Sequence, residues 1–191
     1  MSGSLEIHHP AEFELFDDAL SCELLQPAEF RLGSAAGRQA AAESLLRSLA
    51  QIEDSRGEDL GDERGELPLA AQRIEAKLDL MMALVGRLVR QREDALSLRP
   101  VRWSRRGIRL ETGARTAAAP GAAGVLCLQP SEWLPEKIEL PVTLLSEAAS
   151  GNGGFFLWLK FAELGAGLEA AMERHLFRLH RRQIADARHA R

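Results

Sequence analysis

The sequence predicts an α+β fold: a small antiparallel β-barrel with a long heptad-repeat helix, a second helix and a C-terminal helix. Three observations lead there. Residues 67–96 place apolar side chains at alternating steps of four and three, the spacing of helices that pack on one another. Beyond Leu98 the apolar period shortens toward two, and the runs are separated by Pro, Gly and Asn rather than by helices. Successive strands of that kind form an antiparallel sheet, small enough here to close into a barrel. A helical period returns from Leu164 to about Arg188.

The elements follow in order. Residues 1–33 are acidic and mixed, with apolar stretches Phe13–Phe16 and Leu20–Leu25, and with Pro10 and Pro27 as breakers. The second stretch is the strand candidate. From about Ala35 to Asp54, Ala42, Leu45, Leu46, Leu49 and Ile52 recur at helical spacing and predict an amphipathic helix. Ser55–Glu66, SRGEDLGDERGE, is polar and glycine-containing and reads as a loop.

The heptad helix comes next. Leu67, Ala71, Ile74, Leu78, Met81, Val85, Leu88, Arg92 and Ala95 step along it, with Pro68 in the first turn, where proline is tolerated. Ile74, Leu78, Met81, Val85 and Leu88 make the uninterrupted apolar centre of the seam. Leu80, Met82, Leu84 and Val89 widen it, so the stripe asks for several neighbours. A period of about 3.5 residues is what supercoiling requires, which points to a homo-oligomer of two, three or four copies. The alternative is packing on Ala42–Ile52 of the same chain.

Pro100 closes that helix. Arg99–Glu111, Val125–Leu128, Ile138–Leu145 and Phe155–Phe161 are strand candidates, punctuated by clusters such as Gly151-Asn152-Gly153-Gly154. The terminal helix combines Leu168, Ala171, Met172, Leu176, Phe177 and Leu179 with Arg174, Arg178, Arg181 and Arg182, a cationic face near the negative end of the helix dipole.

Composition excludes several functions. The chain has 191 residues, 46% of them hydrophobic and 27% charged, enough for one core and too few for a large multidomain enzyme. A net charge of -4 argues against a generally cationic nucleic-acid binder. The total conceals a split: residues 1–66 hold 5 Arg against 15 Asp and Glu, while residues 67–191 hold 19 basic against 13 acidic groups. The two parts should attract each other or different partners. Cys22 and Cys127 form no disulfide framework or metal spacing, and no apolar run approaches a membrane span, so the cytoplasm is the expected compartment. His8, His9, His175, His180 and His189 are not spaced for a metal, and neither a nucleophile elbow nor a phosphate loop is present. Glu132, Glu136 and Glu139 read as ordinary surface acids, and no enzyme is expected.

Val101-Arg102-Trp103-Ser104-Arg105-Arg106-Gly107-Ile108-Arg109-Leu110, followed by strands ending in Leu157-Trp158-Leu159-Lys160-Phe161-Ala162-Glu163-Leu164 and an apolar-basic helix, resembles a PilZ domain. Ser104 and Gly107 supply the Ser-x-x-Gly part of that family's Asp/Asn-x-Ser-x-x-Gly signature, and the preceding heptad helix is similar to the atypical, tetramer-forming PilZ subfamily. The resemblance implies a six-stranded barrel that receives cyclic di-GMP, or a relative that binds protein partners instead. It also implies a strand upstream of the helices. Leu20–Leu25 is the candidate, which would make residues 34–97 a helical insertion, residues 1–33 the source of the first strand and residues 98–191 the rest of the barrel and the terminal helix.

Cyclic di-GMP carries two phosphates and two guanines, so a receptor needs guanidiniums for bidentate pairing and small residues for close approach. Arg102, Trp103, Ser104, Arg105, Arg106 and Gly107 are therefore the candidate ligand-binding residues, with Trp103 as a platform for a base. Two departures stand out. Arg102 occupies the place of the guanine-binding Asp or Asn, and residues 1–101 contain no pair of arginines four apart. The bland reading of Arg102, Arg105, Arg106 and Arg109 is a solvated face that pairs with the acidic first third. The sequence thus predicts a non-enzymatic oligomeric signalling protein, a cyclic di-GMP receptor or an adaptor for protein partners. The alternative is an interaction protein that binds nucleic acid or protein through its arginine-rich face.

Overall fold

The computed structural model describes residues 9–34, 38–58, 78, 81, 96–131, 133–134 and 136–189. Helix α1 (Pro10–Phe16) leads into β1 (Ser21–Leu32), and α2 (Gln39–Glu58) follows. The chain then supplies β2 (Leu98–Ser104), β3 (Gly107–Thr112), β4 (Ala123–Leu128), β5 (Ile138–Ala149), β6 (Phe155–Phe161) and α3 (Ala166–His189). The six strands close into an antiparallel barrel in the order β1-β2-β3-β6-β5-β4.

Strand β1 corrects the sequence reading of Pro27 as a breaker. Ser21–Pro27 pair with β2 and Ala28–Leu32 with β4, so Pro27 sits where the strand changes partner, a place at which sheets admit proline. Pro10 is likewise no breaker: it starts α1, where its missing N–H is not needed. The stretch read as a loop from Ser55 begins as the last turn of α2, which extends to Glu58. Of the heptad positions, Leu78 and Met81 are helical and exposed, at 55% and 61%. Ile74, Val85 and Leu88 lie outside the described residues.

The interior is built by period-two alternation. Val101 and Trp103, Ile108 and Leu110, Leu126 and Leu128, Leu140, Val142 and Leu144, and Leu157 and Leu159 all point inward and are buried. Helix α3 covers the barrel with Leu168, Met172 and Leu176. Helix α2 adds Ala42 and Leu46. Gln39 of α2 bonds to Glu163 and Gly165 at the start of α3, and Glu53 further along α2 meets Arg178 and Arg182, so the two helices lie side by side and point the same way. An irregularity between Leu144 and Ser146 lets β5 turn Leu144 inward and the next residues outward, toward a second apolar cluster. That cluster, Ala11, Leu15, Phe16 and Trp158, lies beneath α1 on the outside of the barrel.

Candidate functional site

The signature segment spans the end of β2, the turn Arg105–Arg106 and the start of β3. Its three small or aromatic members are structural. Ser104 is fully buried; its hydroxyl donates to the Leu15 carbonyl at 2.7 Å and accepts from the Arg106 amide at 3.1 Å, fastening the turn to α1. Gly107 lies tight against β6 and α1: a Cβ there would run into the Leu159 carbonyl oxygen and lie 2.8 Å from a Leu15 methyl. Trp103 is fully buried, 5.5 Å from the His175 ring. The expectation of a base-stacking platform is thereby corrected, because alternation along β2 turns Trp103 inward.

The arginines face the other way, and α1 lies over them. Glu12 is 8% exposed. Its Oε1 accepts from Arg102 Nη1 at 2.8 Å and from Arg109 Nη1 at 2.6 Å, and its Oε2 accepts from the Trp158 indole N–H at 2.6 Å. Arg102 also donates to the Ser21 hydroxyl at 3.2 Å, and Arg109 to Glu23 at 3.2 Å. The rings of Phe16 and Phe156 lie 4.6 and 4.9 Å from the two guanidinium carbons. Arg106 donates to the carbonyls of Glu14 and Asp17, closing the C-terminal end of α1. Lys160 pairs with Glu14 at 2.7 Å. Arg105 alone of the signature arginines faces solvent, 3.5 Å from an equally exposed Glu173.

Two guanidiniums and an indole N–H converging on one carboxylate make an anion site. The chain fills it with its own Glu12. Neither Glu12 nor Trp158 figured among the sequence candidates, and His9 was read as a histidine not spaced for a metal. In the fold His9 caps α1 by accepting from the Ala11 amide, stacks on Trp158 at 4.2 Å and meets the Ser146 hydroxyl at 3.3 Å. The missed signal is local: Ala11 with Leu15, and Glu12 with Phe16, are four apart behind a proline, as in a short helix with a buried face.

Other chemistry is sparse among the described residues. No three His, Cys, Asp or Glu side chains gather as a metal requires. Burial pushes the thiols of Cys22 and Cys127 above their ordinary range, which keeps them protonated and poorly nucleophilic. Among the described residues no helix is long and apolar enough to cross a membrane. A cavity of about 530 Å³ opens between the turn, β6 and α3, but its Arg106 and Lys160 are already engaged and Glu163, Glu169 and Glu173 share its wall.

Comparison with known proteins agrees with this geometry. A family profile described as "Atypical PilZ domain, cyclic di-GMP receptor" matches residues 46–189. Among solved structures, a protein from Xanthomonas campestris, described as a tetrameric PilZ domain self-assembled via an unusual helical bundle, is 56% identical. The match covers 92% of this chain and 96% of that one, with a TM-score of 0.74. The Bacillus subtilis inhibitor of motility, MotI/DgrA, is 20% identical over 49% of this chain and 44% of that chain, at a TM-score of 0.38. Comparison with curated proteins found no match.

Proposed function

The chain belongs to the atypical PilZ family of cyclic di-GMP receptors, and from that premise we propose that it is a non-enzymatic, homotetrameric adaptor in cyclic di-GMP signalling. The adaptor half of the reading rests on Glu12. Its carboxylate occupies Arg102 and Arg109, while Arg106 is spent on the end of α1. Trp103, Ser104 and Gly107 belong to the interior, so of the candidate ligand residues only Arg105 offers a guanidinium to solvent. A dinucleotide with two phosphates finds little to grip there, and the protein acts through contacts with other proteins. Nucleic acid is disfavoured for the same reason, since the strand arginines are neutralised within the fold.

Assembly is assigned to the heptad seam, Ile74, Leu78, Met81, Val85 and Leu88. Two observations support it: Leu78 and Met81 are helical and exposed in the single chain, and the Xanthomonas relative is described as a tetramer built on a helical bundle. Residues 34–97 are accordingly the assembly insertion, with residues 1–33 and 98–191 completing the barrel. Calorimetric titration of the purified protein with cyclic di-GMP tests the adaptor reading. The expected result is no saturable heat at high micromolar ligand, and saturable binding returns the protein to the receptors. Light scattering tests the assembly: Leu78→Asp with Val85→Asp should yield smaller species, and an unchanged mass means the seam packs within one chain.

A further inference from the structure

Helix α3 has three differently occupied sides. Leu168, Met172 and Leu176 point into the barrel core, and Arg178 and Arg182 meet Glu53 of α2. The side away from the barrel carries Arg174, Phe177, Arg181, Ile184 and Arg188, at the threes and fours that align residues on one helical face. Phe177 is 55% exposed and Ile184 41%. Arg174, Arg181 and Arg188 are exposed and make no ion pair among the described residues. Beside this stripe a groove of about 460 Å³ runs between Phe177 and Leu20, itself 40% exposed, with Arg105 and Arg174 on its rim.

We propose that this stripe and groove are the docking site for an acidic, amphipathic helix of a partner protein, with an apolar side chain seated between Leu20 and Phe177 and carboxylates on Arg174 and Arg181. The inference rests on the adaptor reading and names the surface that reading requires. Charge selects the occupant: exposed arginines without an ion pair among the described residues alternate with apolar residues, so the complement alternates carboxylates with apolar side chains at the same helical spacing. A polyanion fits poorly. Asp18 and Glu173 border the same groove and would repel a phosphate backbone or an anionic bilayer, while a peptide can place its carboxylates away from them.

Fluorescence anisotropy of the full-length tetramer decides it, with a labelled synthetic helix of about 18 residues, long enough to hold its fold, bearing Leu on one face and Glu on the other. Two control probes replace Glu by Lys, or Leu by Ala. The Glu/Leu probe should bind saturably, and Phe177→Ala, or Arg174→Glu with Arg181→Glu, should each weaken it at least tenfold while mass and circular dichroism stay unchanged. Absence of binding overturns the proposal, as does equal binding of the Ala probe or indifference to both variants. Two further results replace the occupant and also overturn it: tighter binding to phosphatidylglycerol vesicles than to the peptide, or a fall in mass in Phe177→Ala, which makes the face a contact between copies. Cyclic di-GMP calorimetry on the same sample reports separately on the adaptor reading, so the two can fail independently.

Discussion

The barrel face under α1 and the outer face of α3 each carry a set of arginines, and the chain treats the two sets oppositely. Under α1, Arg102 and Arg109 are 29% and 13% exposed and converge on the Glu12 carboxylate. On α3, Arg174, Arg181 and Arg188 stand in solvent without an ion pair among the described residues. The difference is one of backbone. Neighbouring strands bring arginines from separate segments within reach of one buried carboxylate, whereas a helix spaces them along a single exposed line. Arginines of the first kind hold the fold together, and those of the second remain for something outside it. The charge split in the sequence was half of this: among the described residues the acidic first third neutralises the strand arginines and, through Glu53, Arg178 and Arg182 on the flank of α3, but not the arginines of its outer face.

The most severe way to break the contrast is Glu12→Ala. It strips a buried carboxylate from two part-buried guanidiniums and from the Trp158 indole N–H, leaving charge and donor uncompensated. A loss of about 3–5 kcal/mol in urea unfolding is expected, the range for breaking one side of a buried ion pair. A loss below about 1 kcal/mol would mean that water satisfies the arginines and that α1 is an accessory.

His175 sharpens the picture of what arginines do when they face the interior. The ring is 1% exposed beside Trp103, and its ordinary pKa of 6.5 is lowered to about 4 by burial first and then by Arg178 and Arg182. The Pro130 carbonyl opposes them without completing a hydrogen bond, since neither ring nitrogen has a partner. The unfolded chain therefore binds a proton between pH 6.5 and about 4 that the folded chain refuses. Stability from this residue is full above pH 6.5 and declines as pH falls toward 4, by about 3 kcal/mol in total. Acid also weakens the fold through groups other than this imidazole, so the measurement is a difference: His175→Leu should show a shallower acid decline in urea midpoint than the parent. Parallel profiles would place the proton elsewhere.

Much of this architecture was legible in the sequence where period and punctuation agreed. Phe155–Phe161 was read to the residue, and Val125–Leu128 and Ile138–Leu145 lie wholly within β4 and β5, because alternating apolar residues between Gly and Pro clusters leave little choice. The site was less legible. Ser104 and Gly107 stood out as a motif, but a motif cannot say whether a hydroxyl faces a ligand or, as here, the Leu15 carbonyl. The short helix that carries Glu12 left a faint local trace, but the role of the carboxylate was not legible because its partners lie 90, 97 and 146 residues away along the chain. Helix α1 was missed because seven residues give too short a window for a period to declare itself.

The smallest expected effect tests the other side of the contrast. Replacing Arg174 and Arg181 together by Ser removes two charges that make no ion pair among the described residues. Each replacement puts a weaker helix former in place of arginine, at a cost of a few tenths of a kcal/mol, while both positions lie two turns or more from either helix end, beyond the reach of its terminal partial charges. Each also relieves repulsion, because Arg178 and Arg182 lie within a turn or two on the same helix and Arg188 follows. The two terms oppose each other, so the double variant should match the parent within about 0.5 kcal/mol in urea, where Glu12→Ala does not. A loss above about 1 kcal/mol would show that the fold itself spends these arginines, and the outer face of α3 would then be of the same kind as the face under α1.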